Sequence, residues 1–461
     1  MMEDERPSGP QGTQFPGALS SYAPGGAAGD RVLIHPSRPR WLVGNPTSER
    51  IARDLAAPGG SVEAAAAALA ADFGLSLAEA RRDVLLVQDQ LTHHGMLDGA
   101  EPEAREVPCF GFMFLMLTER CNLACAHCWG AFPARQELPL KTVLRIVDEL
   151  VAGGGNFLVL SGGEPLLYPG LKTVLERVGR QLPVQICSNG ILIDEGWARY
   201  LAESGLDIRV QISLDGPTAA VHDAIRGPGT FEGALRGIRN LQAAGLGDKL
   251  IIASTIQGLN HRLMPEIIQL AADLRVPRLR LLPLKKKGRA LETLDCTGEG
   301  LDVPTYEAIF DRVLQVPSIM PKHVNVSCGL NGFSLMPDGE RGGCTVGSQL
   351  VITPTGEVYP CVSLIRPDCW IGNVNGSSLQ AIVDGARMAE LHAAKLTRKD
   401  TIPACKACQW QNLCQSGCMA EALEETGTLW DVDSMCDYRQ RAYARVFDVI
   451  LGGAGPVPGR L

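Results

Sequence analysis

Apolar runs separated by amphipathic stretches characterise the chain between residues 112 and 282. A mainly apolar run predicts a strand that is covered on both faces, as in a parallel sheet. Six such runs occupy residues 112–117, 157–160, 184–187, 208–212, 250–253 and 279–282. The amphipathic stretches of 10–20 residues between them predict helices. The repeating unit predicts an α/β fold, a partial (β/α)6 barrel, in which chemistry takes place at the C-terminal strand ends.

The pattern before residue 101 is different and predicts a small winged-helix-like domain over residues 31–100. Two short apolar runs, at 32–34 and 41–43, predict strands on either side of a Pro-rich turn. Three helical stretches follow, each preceded by a serine that can cap it: Ser48 before 49–56, Ser61 before 62–73 and Ser76 before 77–94. Gly74 and Gly95 end the second and third of these helices.

The remaining segments complete the predicted domain organisation. Residues 1–30 are rich in Gly, Pro, Ser and Ala without periodicity, which predicts a disordered tail. The barrel is assigned to residues 109–302. From residue 303 the strand and helix alternation fades while Gly and Cys become frequent, so we expect a metal-organised domain with little apolar core over 303–447. Residues 448–461 form a second predicted tail.

Composition and charge exclude several classes of protein. The 461 residues are 45% apolar and 20% charged, which is ordinary for globular domains. A net charge of −8 provides no chain-wide basic field for nucleic acid. The longest apolar runs have eight residues, too few to span a membrane, and no apolar segment follows the acidic N-terminus as in a secretory signal. We therefore expect a cytoplasmic protein that binds neither nucleic acid nor membranes.

Cysteine is unusually frequent, and its distribution indicates metal binding. The chain has 15 cysteines, none of them within residues 1–108. Three lie within residues 121–128 and five within residues 405–436. Thiols in an intracellular protein are normally kept reduced, and disulfide frameworks belong to small secreted domains. Clustered cysteines in a chain of this size therefore favour metal ligation over disulfides.

The first cysteine group has the spacing C-x3-C-x2-C, formed by Cys121, Cys125 and Cys128. Three thiolates on one loop can bind three irons of a 4Fe–4S cluster and leave the fourth iron open. Structural zinc is the alternative, and it requires four ligands. His127 could be the fourth ligand, so spacing alone leaves both metals possible.

A C-x3-C-x2-C loop after the first strand of a β/α barrel resembles the radical S-adenosylmethionine (SAM) superfamily. The resemblance implies that the open iron binds the amino and carboxylate groups of SAM. Reductive cleavage of SAM then yields a 5′-deoxyadenosyl radical that abstracts hydrogen from the substrate, while the protein orients and shields the reacting groups. His127 occupies a position where the family usually has an aromatic side chain packed near the cluster.

Four further segments at strand ends resemble SAM-binding segments of this family. The GGEP segment, residues 162–165, corresponds to the segment that holds the SAM ammonium, where glycines let backbone carbonyls approach closely. The segments after the third and fourth strands resemble those near the SAM ribose and carboxylate, and an Arg in the next block can reach a carboxylate. The implied SAM-binding residues are Gly162, Gly163, Glu164, Pro165, Asn189, Ser213, Asp215 and Arg226.

The C-terminal cysteines resemble the SPASM domain of radical SAM peptide maturases. Their pattern is C-x2-C-x5-C-x3-C over residues 405–418, with another cysteine at 436 and two upstream at 344 and 361. The resemblance implies two auxiliary 4Fe–4S clusters, and hence three clusters in all. The outer cluster would be held by Cys405, Cys408, Cys414 and Cys436, and the inner one by Cys344, Cys361 and Cys418. Cys328 is the candidate for the fourth inner ligand, and an open iron there is the alternative.

Residues 31–98 resemble the PqqD-like recognition element of peptide modification systems in the order of their elements. In that family a leader peptide adds a strand beside the small sheet. The alternative is a winged-helix DNA-binding domain. These residues include seven Arg and eight Asp or Glu, whereas a DNA-binding domain would show a basic face. The composition therefore favours a peptide partner.

Together these features predict a radical SAM enzyme that modifies a ribosomally made precursor peptide, with a thioether or carbon–carbon crosslink as the expected product. The leader would dock on residues 31–98, and a flavodoxin or ferredoxin would donate electrons. A radical SAM enzyme acting on a small cofactor precursor, such as a tetrapyrrole, is the second interpretation. A metal-stabilised DNA-binding regulator without catalysis is the third.

Overall fold

A computed structural model describes residues 20–23, 29–35, 40–97, 110–130, 135–285, 287–293, 304–305, 308–309, 325–328 and 344–452. The N-terminal domain has a three-stranded antiparallel sheet of β1 (Ser20–Tyr22), β2 (Arg31–Ile34) and β3 (Trp41–Gly44), in that order. Three helices follow: α1 (Pro46–Ala56), α2 (Val62–Phe73) and α3 (Leu77–His93). Strand β1 lies within the range predicted to be a disordered tail, so that prediction is wrong for Ser20–Tyr22. Three residues carry too little hydrophobic pattern to identify a strand that depends on pairing with β2.

Two of the three serine caps predicted for the helices of this domain are confirmed. Ser61 accepts a hydrogen bond from Ala64 N, and Ser76 forms a reciprocal capping box with Glu79. The predicted cap at Ser48 is wrong. Helix α1 begins at Pro46 because proline favours the first helical position, and the Asn45 side chain accepts from Ser48 N at 2.8 Å.

The predicted barrel is confirmed, with six parallel strands in consecutive order. They are β4 (Phe112–Thr118), β5 (Phe157–Gly162), β6 (Val184–Ser188), β7 (Ile208–Ser213), β8 (Leu250–Ile256) and β9 (Arg278–Pro283). The helices between and after them are α4 (Leu140–Ala152), α5 (Leu171–Val178), α6 (Glu195–Glu203), α7 (Ala219–Arg226), α8 (Thr230–Ala243), α9 (Met264–Asp273) and α10 (Arg289–Glu292). Their apolar faces and the outward side chains of the strands form one continuous core.

Strands from the C-terminal region extend the barrel sheet to ten strands. β10 (Asn325–Cys328) pairs in parallel with β9, and β11 (Gln349–Ile352) pairs in parallel with β4 at the opposite side. β12 (Glu357–Tyr359) and β13 (Gly372–Asn373) continue as antiparallel strands beyond β11. Residues assigned by sequence to the metal-organised domain therefore contribute strands to the barrel.

The rest of the C-terminal region is helical. Its helices are α11 (Leu379–Val383), α12 (Ala386–Thr401), α13 (Pro403–Lys406), α14 (Gln411–Cys414), α15 (Met419–Thr426) and α16 (Cys436–Leu451). Helix α16 continues to Leu451, so the predicted tail from residue 448 is wrong for its first four residues. Within the described part of the chain, no helix is long and apolar enough to cross a membrane.

A shared aromatic core joins the N-terminal sheet to the C-terminal region. Val32, Ile34, Trp41 and Val43 pack in one buried cluster with Trp410, Leu413, Tyr443 and Phe447. The rings of Trp41 and Phe447 are 5.1 Å apart at their centroids, and those of Trp410 and Tyr443 are 5.6 Å apart. Tyr22 in β1 donates a hydrogen bond to Asp448 at 2.8 Å. The N-terminal domain is therefore built onto helices α14 and α16.

Candidate radical and metal sites

The C-terminal strand ends open into one large cavity of about 1900 Å³. Cys121, Cys125 and Cys128, on the loop after β4, contribute to its wall. Cys344, which precedes β11, contributes to the wall as well. The cavity therefore contains both the first cysteine group and one member of the inner group predicted from the sequence.

Two glycines bring the end of β5 against the segment that leads into the three-cysteine loop. Gly163 N donates to Thr118 O at 2.6 Å. A Cβ on Gly163 would lie 2.3 Å from Arg120 O, and one on Gly162, at a φ of 137°, would lie 2.4 Å from Thr118 O. Any side chain at these positions would displace the loop. The glycines of the GGEP segment thus have two roles. They position the cysteine loop, and they leave backbone groups exposed to the cavity.

Glu164 joins the ends of β5 and β6 through three hydrogen bonds. Its Oε1 accepts from Ser188 Oγ at 2.9 Å and from Leu166 N at 3.2 Å, and its Oε2 accepts from Asn189 N at 2.9 Å. Burial raises the pKa of Glu164 to about 7, against the lowering effect of these donors. Its carboxyl group is therefore largely engaged by the protein and acts as a positioning group.

Asn189 connects the end of β6 to the three-cysteine loop. Its Nδ2 donates to Asn122 Oδ1 at 2.8 Å, and its Oδ1 accepts from Ile191 N at 3.0 Å. Ser213 lies at the end of β7 and faces the cavity. Pro165 is buried and begins a short 3-10 turn. The structure thus brings Asn189 and Ser213 to the cavity wall, whereas Pro165 lies behind it.

Asp215 and Arg226 form a buried ion pair next to the three-cysteine loop. Arg226 Nε donates to Asp215 Oδ2 at 2.5 Å, and Asp215 Oδ1 accepts from Thr255 N at 2.7 Å. Arg226 Nη1 lies 3.9 Å from Cys125 Sγ, and its Nη2 lies 3.3 Å from His127 Nε2. The carboxylate that Arg226 reaches in this structure is that of Asp215, while its outer nitrogens face a cysteine of the loop.

Beside the three-cysteine loop, Asp215 and Arg226 are the charged side chains that form an ion pair. Burial alone would raise the pKa of Asp215, but the Arg226 guanidinium and the neighbouring histidines hold it below its usual value. Burial lowers the pKa of His127 to about 4, so its imidazole is neutral near pH 7. The predicted packing role of His127 agrees with a side chain that is only 8% exposed.

Polar side chains form the inner wall of the barrel one pleat below the strand ends. Gln211 Oε1 accepts from Gln185 Nε2 at 3.3 Å and from Arg280 Nη1 at 3.1 Å. Both glutamine Nε2 atoms lie within 3.5 Å of Cys187 Sγ. No sequence motif identified this network. The available signal was a polar residue at an inward position of an otherwise apolar strand, which is costly to bury unless it is hydrogen-bonded.

Cys344, Cys361 and Cys418, the inner cysteine group, lie together beside the cavity. Burial raises the pKa of Cys361 far above its usual value, and the neighbouring thiols of Cys344 and Cys418 raise it further. Lys285, just beyond β9, is near Cys418 and Cys361 and forms an ion pair with Glu421 at 2.7 Å. A cation beside three buried thiols favours their thiolate form.

Cys405, Cys408, Cys414 and Cys436, the outer cysteine group, surround a separate small cavity. Arg439 also lines it and is only 2% exposed. Its guanidinium interacts with the Cys414 thiol, and its Nη2 donates to Asp433 Oδ1 at 2.7 Å. Its Nε and Nη1 are buried and have no nitrogen or oxygen acceptor among the described residues. Buried donors of this kind require an acceptor. An anionic cluster held by the four thiolates would supply it, so the residues present fit a 4Fe–4S cluster.

The described residues do not fit the zinc alternative. Among them, no three His, Cys, Asp or Glu side chains converge closely enough to hold a single metal ion. A tetrahedral zinc needs four ligands at about 2.0–2.3 Å.

The other cysteines occupy different positions. Cys328 ends β10, where its backbone pairs with Leu281 of β9. Cys187 belongs to the polar wall of the barrel, and Cys369 is fully buried. Cys109 and Cys296 lie outside the described residues.

Family models match three parts of the chain. The Radical SAM superfamily matches residues 115–271, the SPASM iron-sulfur cluster-binding domain matches residues 344–409, and coenzyme PQQ synthesis protein D (PqqD) matches residues 30–97. The first and third ranges agree with the barrel and the N-terminal domain. The SPASM range includes Cys344, Cys361, Cys405 and Cys408 and ends before the other three cysteines of the two C-terminal groups.

Curated relatives include a mycofactocin maturase and a heme synthase. Mycofactocin maturase MftC of Mycobacterium ulcerans is 31% identical over 325 residues, which cover 66% of this chain and 81% of the relative. The AdoMet-dependent heme synthase of Nitratidesulfovibrio vulgaris is 27% identical over 348 residues, covering 70% of this chain and 91% of the relative.

Solved structures share the fold. Native anSMEcpe with bound AdoMet and the Kp18Cys peptide superposes with a TM-score of 0.60 at 18% identity, covering 74% of this chain and 98% of that chain. Streptococcus suis SuiB bound to the precursor peptide SuiA gives a TM-score of 0.57 at 15% identity, covering 89% of this chain and 99% of that chain. The barrel with its strand-end cavity, the cysteine groups and the sequence matches lead to one conclusion: the chain belongs to the radical SAM superfamily, as an enzyme that binds SAM and iron–sulfur clusters and carries a SPASM domain and a PqqD domain.

Proposed function

We propose that the protein is a radical SAM maturase that abstracts hydrogen from a ribosomally made precursor peptide to install a thioether or carbon–carbon crosslink. The observation that carries the proposal is the PqqD domain packed onto the C-terminal cysteine region of the same chain. Peptide-bound structures among the fold neighbours and a peptide-maturase relative support a precursor peptide as the partner.

The site residues are assigned on the same basis. Cys121, Cys125 and Cys128 would hold the cluster that binds SAM. The residues of this chain that would bind SAM or position its cluster are Gly162, Gly163, Glu164, Pro165, Asn189, Ser213, Asp215 and Arg226. When bound, the cluster and SAM supply the radical that removes hydrogen from the peptide. The barrel wall encloses the reacting groups, and the Asp215–Arg226 pair places a fixed positive charge against Cys125.

Two auxiliary clusters would accept the electron that remains on the substrate after hydrogen loss. Cys405, Cys408, Cys414 and Cys436 would hold the outer cluster. Cys344, Cys361 and Cys418 would hold the inner one, with Cys328 as the proposed fourth ligand. Three clusters correspond to about twelve irons per chain. A flavodoxin or ferredoxin is the proposed source of the electron that starts each cycle.

An exposed apolar patch on the N-terminal domain is the proposed docking surface for the leader. It consists of Phe73, Leu75, Leu77, Leu85 and Leu86, each at least 37% exposed. These are five of the ten exposed large hydrophobic residues in the described part of the chain, so they are concentrated in one small domain. Concentrated apolar exposure marks interaction surfaces. A leader that adds a strand to the adjacent sheet could cover this patch with its own apolar side chains.

A small cofactor precursor is the second candidate substrate. It is favoured by the heme synthase relative and by a cavity of about 1900 Å³, which could hold a tetrapyrrole. That reaction leaves the N-terminal domain unexplained. The third interpretation, a DNA-binding regulator without catalysis, does not fit a chain that belongs to an enzyme superfamily.

The experiment that tests the proposal uses the reconstituted enzyme, SAM and dithionite under anaerobic conditions. Short peptides encoded beside the gene are supplied as full precursors, and coproporphyrin is supplied in a parallel reaction. We expect one precursor to lose two hydrogens in mass spectrometry, as a crosslink requires. Modification of the porphyrin with unchanged peptides would contradict the proposal.

Glu164→Ala is expected to weaken SAM binding at least tenfold. The variant leaves Ser188 Oγ, Leu166 N and Asn189 N without their shared acceptor, at about 1–3 kcal/mol for each buried group left unsatisfied. The end of β6 should then separate from the cysteine loop. Equilibrium dialysis with reconstituted protein measures the change. Glu195→Ala, at an exposed position in α6, is the control, and equal SAM affinity of the two variants would contradict the positioning role of Glu164.

A further inference from the structure

Arg398, in the last turn of α12, is a buried cation with few partners. It is 2% exposed and among the largest fully buried side chains. Its Nη2 donates to Asp431 O at 2.7 Å, and in the part of the chain that the structure describes its Nε has no hydrogen-bond partner. Among the described residues it forms no ion pair with a carboxylate. A guanidinium does not lose its proton in proteins, so the full charge lies in the protein interior.

The ionisable groups around Arg398 are the carboxyl group of Asp433 and cysteines of both auxiliary groups. Cys344 and Cys418 belong to the inner group and Cys405 to the outer group, and each interacts with the guanidinium. Toward the inner group, His392 and Lys395 of the same helix line the large cavity together with Cys344. Toward the outer group, Ile402 N donates to Arg398 O at 2.9 Å, and Cys405 N donates to Ile402 O at 3.0 Å. Arg398 therefore lies between the two proposed clusters.

Neutral thiols would not stabilise such a charge. Burying a cation is costly unless anions compensate it, and the nearby Asp433 carboxylate is shared with Arg439. Thiolates that bind iron are anionic, and a 4Fe–4S cluster with four of them carries net negative charge. The position of Arg398 is explained when both cysteine groups hold clusters.

We propose that Arg398 is a shared positioning charge that raises the reduction potentials of both auxiliary clusters. The proposal rests on the assignment of two such clusters under the proposed function. A cluster that gains one electron becomes more negative, so a nearby fixed positive charge stabilises its reduced form. The electron comes from the substrate in turnover or from dithionite in a titration, and no bond is formed or broken at Arg398. One side chain would thereby keep both clusters able to accept an electron.

A potentiometric titration followed by EPR tests the proposal on the fully reconstituted enzyme. At a fixed ambient potential, Arg398→Gln should lower the ratio of reduced to oxidised cluster at least tenfold for both auxiliary signals. This corresponds to about 59 mV for a one-electron couple. Arg398→Lys keeps the charge and should stay near the wild-type ratio. Arg387→Gln removes a half-buried arginine, paired with Glu390, from the first turn of the same helix and should change neither ratio.

A shift of only one cluster, or of neither, would overturn the shared role. Removing a buried charge can also prevent loading of the clusters, so a second measurement uses the wild-type protein labelled with ¹⁵N-arginine. Pulsed EPR should detect arginine nitrogen near each reduced auxiliary cluster, and Arg398→Lys should remove the coupling at the inner one. Absence of that coupling in the wild type would refute the proposal even if Arg398→Gln lost its iron. Failure of the wild type to show two auxiliary signals would instead refute the cluster assignment itself.

Discussion

Replacing Cys125 by alanine is expected to abolish reductive cleavage of SAM, with a fall in 5′-deoxyadenosine formation of at least about 10³-fold, or about 4 kcal/mol in activation free energy. Cys125 is one of only three proposed ligands of the first cluster, so its loss leaves that cluster without a stable site. It is also the thiol that Arg226 approaches at 3.9 Å. High-performance liquid chromatography of anaerobic reactions measures the product.

The same variant should keep its auxiliary clusters, because their proposed ligands are on other segments. Iron should therefore fall from about twelve to about eight atoms per chain. Cys369→Ala, which removes a fully buried thiol outside all three cysteine groups, is the matched control and should retain both iron and SAM cleavage. Wild-type cleavage by the Cys125 variant would show that the loop does not hold the SAM-binding cluster.

Introducing charge into the apolar patch of the N-terminal domain should greatly reduce capture of the precursor. The double variant Leu85→Asp/Leu86→Asp places two carboxylates where the leader is proposed to bury apolar side chains. A loss of two interface hot spots at about 2 kcal/mol or more each corresponds to at least 100-fold in kcat/KM for the full precursor. The effect should be in KM, because the radical site is remote from the patch. Mass spectrometry at several precursor concentrations separates KM from kcat.

SAM cleavage without peptide is the internal control for that variant and should remain at the wild-type rate. Leu259→Asp changes a leucine that is 43% exposed on the barrel, outside the N-terminal domain, and should leave precursor processing unchanged. An unaltered KM in the double variant would place leader recognition elsewhere and would add weight to a small-molecule substrate.

Local patterns in the sequence were sufficient to predict the barrel. Each buried strand is a mainly apolar run, and residues at or just beyond the ends of β4, β5, β6 and β7 do converge on one cavity. The serine caps of α2 and α3 also depend on neighbours within four residues, and both were confirmed. The grouping of the C-terminal cysteines followed from spacing within a family resemblance, and the structure brings the same sets together.

Interactions between distant segments could not be predicted from the chain. Strands β10 and β11 read as parts of a separate domain because their pairing with β9 and β4 depends on the closed tertiary structure. Likewise, Glu164 looked like a ligand-binding residue, whereas its hydrogen bonds to Ser188 and Asn189 span more than 20 residues. A motif identifies which residues meet at a site. Whether a residue of the motif binds the ligand or positions other residues depends on its hydrogen-bond partners, which the sequence does not reveal.

The shared aromatic core links the stability of the N-terminal domain to that of the outer cysteine group. Trp410 and Leu413 lie between Cys408 and Cys414 in the chain, and both pack against the sheet that begins the protein. A cluster bound at the outer cysteine group, as proposed, would therefore stabilise the N-terminal domain, since any group that binds only the folded state favours that state throughout its cooperative unit. Cluster assembly would then act as a checkpoint in the maturation of the enzyme itself. In a newly made chain without iron, the sheet of the N-terminal domain would be less stable. The precursor would then bind preferentially to molecules that already contain their clusters and can modify it.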